Sequence, residues 1–175
     1  MLSARAAIGS AIVAVIATMA AAQATLDPKQ EALLRQLFPA ATSFAPKAGE
    51  PPHFTALAAD PRTGSAQAIG FAFWTTELSP LERGYDGPIK ILVGMDTSAV
   101  LTGVIVVDHH EPYGYFSVDK PDFPAQFKGK SIGDPFRVGG DIDAVSRATM
   151  TVTSSARAVR DSARRVARQL LTPSR

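Results

Sequence analysis

Between His53 and Glu111 the chain carries four short apolar, partly β-branched runs: "HFTALAA", "SAQAIGFAFWTTEL", "PIKILVGMD" and "VLTGVIVVDHHE". Turn formers such as Asp60-Pro61 and Asp96-Thr97-Ser98 separate them, so the region reads as strands, the last two paired as a hairpin. Helical patterns flank these strands. Residues 28–38, "PKQEALLRQLF", set Leu33, Leu34, Leu37 and Phe38 at helical spacing behind Pro28, and Pro39 ends the run. From about Ser154 to Leu171, Val159, Ala163, Val166 and Leu170 recur on one helical face, with arginines opposite and Ser154 or Ser155 as the expected N-cap. The order helix, strands, helix predicts an α+β domain with helices packed on an antiparallel sheet. Ala40 to Pro52, rich in Pro, Gly and Ser, is expected to be a connecting loop. "DKPDFPAQFKGK" should hold one short helix, "GGDID" a turn, and Trp74 belongs in the sheet core.

The opening thirty residues place Arg5 before an uncharged apolar stretch, Ala6 to Ala22, and end it with Ala22-Gln23-Ala24. That is signal-peptide order, with cleavage expected after Ala24 and Ala22 as the second choice; the alternative is a retained membrane anchor. The expected organisation is a signal peptide over 1–24, an N-terminal helix and loop over 25–52, and the main domain over 53–175. Export makes the protein periplasmic. The chain has no cysteine, which excludes disulfides, thiolate zinc sites and cysteine-ligated clusters, so any redox role needs a bound cofactor. Net charge is only +2, yet six arginines lie between Arg147 and Arg168 against Asp161 alone. An exported domain meets no nucleic acid. A solvated helix face is the ordinary reading of these arginines, and a weak contact with anionic membrane is the alternative.

No catalytic constellation stands out. His109 and His110 point to opposite faces of a continuous strand, and with Glu111 they lack a third spaced metal ligand. A Ser146, His110, Asp143 triad can be assembled only on paper, because the G-x-S-x-G elbow is absent. The histidines are expected to serve as structural hydrogen-bonding groups at the sheet edge.

"DAVSRAT", Asp143 to Thr149, is different. It resembles the D-x-x-[S/T]-G-A-T motif of FMN-binding domains that carry flavin covalently. "GYDGPIKILVGMD" (84–96), "GVIVVDHHEPYG" (103–114) and "FPAQFKGK" (123–130) follow the order of the same family over roughly residues 80 to 170. The leading "LFPAATSF" extends the likeness toward the exported domain of the membrane regulator associated with nitrous oxide reductase. Related domains occur in the Rnf complex and in sodium-translocating quinone reductase. Arg147 stands where many members have Gly.

The resemblance implies that a Mg²⁺-dependent flavin transferase takes FMN from FAD and esterifies its phosphate to Thr149. Asp143, Ser146, Ala148 and Thr149 would be read by that transferase, while Ser146, Arg147 and Ala148 would lie beside the flavin. Gly84, Tyr85 and Gly87 match one family stretch near the flavin, and His110, Glu111 and Gly114 match another. Asp143 would otherwise hold its turn through a side-chain to backbone bond. The expected function is an electron-transfer flavoprotein linking a membrane electron-transfer complex to a periplasmic reductase, in a setting such as denitrification. The other class of function is a non-redox docking or regulatory module for such a complex. Membrane helices and cluster cysteines of the full-length regulator are not in this sequence, so functions that need them are expected to come from another protein.

Overall fold

The computed structural model describes residues 26–171, so the expected signal segment lies outside them. Helix α1 spans Pro28–Leu37. Asp27 caps it by accepting the Lys29 backbone N–H at 2.7 Å, and Pro28 takes a position whose missing N–H costs nothing. Five strands follow: β1 (Ser43–Ala48), β2 (His53–Ala59), β3 (Ala66–Trp74), β4 (Lys90–Asp96) and β5 (Leu101–Asp108). Short helices α2 (Thr75–Leu78) and α3 (Asp122–Ala125) lie after β3 and β5, and α4 runs from Thr149 to Leu170. The strands form one antiparallel meander in sequence order, with Phe73 opposite Val93 and Val93 opposite Val104. The expected α+β class is the one observed, including the β4–β5 hairpin.

Both faces of the sheet are covered. On one, Phe73, Ile91, Val93 and Met95 pack against Val152, Val159, Ala163 and Val166 of α4. On the other, Phe54, Ala72, Trp74 and Leu92 pack under Leu34, Leu37 and Phe38 of α1. Because β4 is buried on both sides, its sequence is a continuous apolar run with no alternation. Each fully buried Val or Leu contributes about 1.5–3 kcal/mol by leaving water. The Phe38 ring lies where Gly70 and Gly94 have no side chain: a Cβ at Gly70 would overlap that ring and come within 2.6 Å of the Met95 carbonyl oxygen.

Two local expectations are corrected. The stretch 40–52, expected as loop, contains edge strand β1, whose Ser43, Phe44 and Ala45 pair with Leu57, Ala56 and Thr55. Pro46 falls where that register shifts, and an edge strand tolerates a residue that cannot donate. Helix α4 starts at Thr149, with Ala148 as its cap residue, so neither Ser154 nor Ser155 is the N-cap. Their hydroxyls face inward: Ser154 Oγ donates to the Thr151 carbonyl oxygen at 3.1 Å, and Ser155 Oγ is buried without a partner. The apolar stripe simply continues backward through Ala156 and Val152, which are buried.

Candidate functional site

The start of α4 meets two loops. Residues 145–148 form a tight turn closed by the Ala148 N–H donating to the Val145 carbonyl oxygen at 3.1 Å. Its third residue, Arg147, has φ 68°, the left-handed region that glycine enters without penalty. That backbone requirement explains why a glycine suits this place in the motif. After the turn, the first helical bond runs from the Val152 N–H to the Ala148 carbonyl oxygen at 3.0 Å, so the N–H groups of the first turn have no intrahelical partner. Thr149 is the first helical residue and is exposed.

There a cleft of ≈ 320 Å³ opens, lined by Tyr85, Pro112, Tyr113, Arg147, Ala148, Thr149, Met150 and Thr151. Tyr85 and Met150 keep 71% and 60% of their surface in solvent, unusual for large apolar side chains outside a binding surface. A second cavity, ≈ 230 Å³, shares Thr149 and Met150 with the first and is lined further by Glu82, Arg83, Thr153 and Arg157.

Glu111 holds this junction together. It is buried, and its carboxylate accepts the Asp86 N–H at 2.9 Å, the Tyr85 N–H at 3.0 Å and the Thr151 hydroxyl. Burial alone pushes its pKa up, but the bonds from Thr151, Asp86 and Tyr85, with His109 nearby, outweigh this and hold it below the ordinary 4.5. One carboxylate thus ties the end of β5, the loop bearing Tyr85 and the first turn of α4. Gly84 permits that approach, since a Cβ there would overlap Glu111 Oε1. Behind it, His109 Nδ1 accepts the Glu111 N–H at 3.1 Å while Nε2 faces Asp119 Oδ1 at 2.8 Å, and Gly114 leaves room for the imidazole.

Of the residues singled out in the sequence, Tyr85, Arg147, Ala148 and Thr149 line one cleft. Gly84, Glu111 and Gly114 sit behind its wall as packing and hydrogen-bonding supports, and Gly87 closes the Tyr85 loop by accepting the Gly84 N–H at 2.7 Å. His110 and Ser146 are not part of the cleft lining. His110 follows the end of β5, where its neighbour His109 takes the inward position. Asp143 is exposed and makes no side-chain bond among the described residues; its own N–H donates to Gln126 Oε1 at 2.6 Å. The turn-holding role expected of Asp143 belongs to Asp141, which accepts the Arg137 and Phe136 N–H groups at 2.5 and 3.1 Å and pairs with Lys130 at 3.0 Å. Burial raises the Asp141 pKa, and these contacts, the Arg137 N–H foremost, bring it below the ordinary carboxylate range.

No hydrogen bond joins Ser146, His110 and Asp143 among the described residues, and no three His, Asp or Glu side chains there gather as a metal site. His53 and His109 serve structure: His53 Nδ1 bonds the Pro51 carbonyl oxygen at 2.7 Å. The basic face of α4 is partly used by the protein itself, since Arg164 donates to the Ile132 and Asp134 carbonyl oxygens at 2.8 and 2.9 Å and Arg165 pairs with Glu50 at 3.0 Å. Among the described residues no helix is long and apolar enough to cross a membrane. Sequence reasoning missed Pro112, Tyr113, Met150 and Thr151; the hydroxyl pair Thr149 and Thr151, one outward and one inward, was the available signal.

Fold and cleft together define a small α+β domain with a cofactor-sized recess at the start of its last helix. Residues 84–164 match the family described as the FMN-binding domain. The chain is similar to a subunit of the ion-translocating oxidoreductase complex of Vibrio vulnificus (strain YJ016), 33% identical over 110 residues that cover 57% of this chain and 49% of the relative. The corresponding protein of Pseudomonas aeruginosa (strain UCBPP-PA14) is 37% identical over 86 residues, 43% of this chain and 40% of the relative. That of Shewanella baltica (strain OS223) is 32% identical over 88 residues, 45% and 42%. The chain spans about half the length of the curated relatives it matches.

Proposed function

We propose that this chain is an exported flavoprotein holding one FMN as a phosphoester on Thr149 and passing electrons between a membrane donor and a periplasmic acceptor, with denitrification as the setting suggested by the regulator-like motif. The FMN half would come from FAD through a Mg²⁺-dependent flavin transferase. The observation that carries this reading is the placement of Thr149: exposed, the first residue of α4, lining both a tyrosine-bearing cleft and an arginine-bearing one.

The residues present fit the group. The cleft lies within the range of ~300–1,000 Å³ typical of small-molecule sites. Tyr85, Tyr113 and Met150 offer apolar surface for a flat ring, and the free N–H groups of the first turn with Arg147 offer donors and positive charge to a phosphodiester. Flavin, when bound, supplies reversible electron uptake at its ring. The chain's own part is to orient it and leave an edge open: Glu111 fixes the Tyr85 loop against α4, and Thr151 is held inward by the same carboxylate, which leaves Thr149 as the outward hydroxyl. A threonine hydroxyl is a weak nucleophile, and its activation is assigned to the transferase.

The test is coexpression with a flavin transferase, followed by intact mass, visible absorption and peptide mapping. A flavin-sized mass increase on the Thr149 peptide, lost in Thr149→Val, is expected. A colourless, unmodified product refutes the flavoprotein reading, and continued flavinylation of Thr149→Val refutes the site.

A further inference from the structure

The three cavities around Thr149 and the first turns of α4 carry an unbalanced charge. Arg83, Arg137, Arg147, Arg157 and Arg160 line them, against one carboxylate, Glu82. The whole chain has a net charge of only +2, less than the excess gathered here. Arg160 is offset by Asp161 at 2.7 Å, whereas the other four arginines make no ion pair among the described residues. A phosphodiester on Thr149 would neutralise one positive charge and leave an excess. The third cavity, ≈ 380 Å³, is lined by Arg137, Thr153, Arg157 and Arg160 and not by Thr149. The same face exposes Tyr85, Tyr113 and Met150, and Leu81, two residues before Arg83, is 94% exposed. Tyr, Met and Arg at the centre, with few carboxylates, is the composition of protein-docking surfaces rather than of ordinary solvated ones.

We propose that the arginine-rimmed surface around Thr149 is the docking face for an acidic redox protein. Charge complementarity selects that partner: clustered cations around an open cleft attract a negative patch, speed encounter and orient it toward the cleft. That the partner is a redox protein rests on the flavoprotein reading above; the docking itself does not, so it is measured on the full chain both with and without flavin.

The probes are an acidic c-type cytochrome and a basic one of similar size, titrated onto the immobilised chain. The acidic probe should bind the more tightly, and its affinity should fall roughly tenfold or more between about 10 mM and 0.5 M salt. The double charge reversal Arg137→Glu/Arg157→Glu should weaken it about tenfold at low salt, with Arg137→Gln/Arg157→Gln intermediate. Arg168→Glu, about 16 Å further along α4, should change it less than about twofold. Circular dichroism of each variant checks the fold. Equal binding of the two cytochromes, salt-independent binding, or an equal loss in Arg168→Glu overturns the proposal. So does an arginine-dependent cosedimentation with phosphatidylglycerol vesicles when cytochrome binding is unaffected, which would assign the face to lipid. Binding that follows the expected pattern on a chain that never takes up flavin would uphold the docking face while the flavoprotein reading fails.

Discussion

Replacing Glu111 by Gln keeps the shape of the side chain but removes one acceptor. The carboxylate receives backbone N–H groups on both oxygens, Asp86 on Oε1 at 2.9 Å and Tyr85 on Oε2 at 3.0 Å, and the Thr151 hydroxyl also donates to Oε2. A glutamine amide has a single oxygen, so in either flip its NH₂ confronts one of those N–H groups. A donor left facing a donor in a buried place costs about 1–3 kcal/mol, and the surviving bonds fall from charge-assisted to neutral. We expect Glu111→Gln to cost about 3 kcal/mol at pH 7 and to lower Tm by about 6–12 °C. Urea unfolding followed through Trp74, the single tryptophan and a buried one, measures it. The folded pKa of Glu111 lies below its ordinary 4.5, so the carboxylate's contribution is full above that value and is lost as pH falls through the folded pKa. The gap between wild type and Glu111→Gln should therefore be constant from pH 7 to about 5 and shrink below 4.5, where a protonated Glu111 comes to resemble the amide. A gap under about 0.5 kcal/mol, or one that persists unchanged to the acid limit of folding, refutes the reasoning.

Two further substitutions probe the scaffold. Gly70→Ala pushes a methyl against the Phe38 ring and the Met95 carbonyl oxygen, which cannot both yield; a loss of about 1–3 kcal/mol in urea unfolding is expected, partly restored by Phe38→Leu. Arg147→Gly relieves a left-handed backbone and should raise stability by about 0.5–1 kcal/mol, with unchanged stability showing that the turn tolerates arginine without strain.

What the sequence disclosed and what it hid follow from the range of the forces involved. Four of the five strands, the β4–β5 hairpin and α1 were legible because period, turn residues and capping act within a few positions. The start of α4 was not: Ser154 and Ser155 read as capping residues, yet both are buried within the helix, which starts at Thr149. Edge strand β1 was hidden by Pro46, whose cost vanishes only because nothing pairs on its outer side. At the site, a motif match singled out Glu111 as a cofactor neighbour. Its placement behind the wall depends on two N–H groups more than twenty residues away in sequence, which no local pattern encodes.

The shape of the cleft bears on why a tether would be used at all. A recess of ≈ 320 Å³ whose walls include a tyrosine and a methionine each more than half exposed removes little of a flat ring from water. Affinity from such partial burial is modest, because ordering the ligand and the exposed side chains offsets much of the gain. Deepening the cleft would raise affinity but close off the edge through which a docked partner must approach. The proposed phosphoester to Thr149 would separate the two demands: it would make the ring's return to the cleft an intramolecular event at high effective concentration, so occupancy would no longer depend on burial. The wall would then only have to orient the ring, a task that the Glu111 bonds to the Tyr85 loop and to α4 would serve.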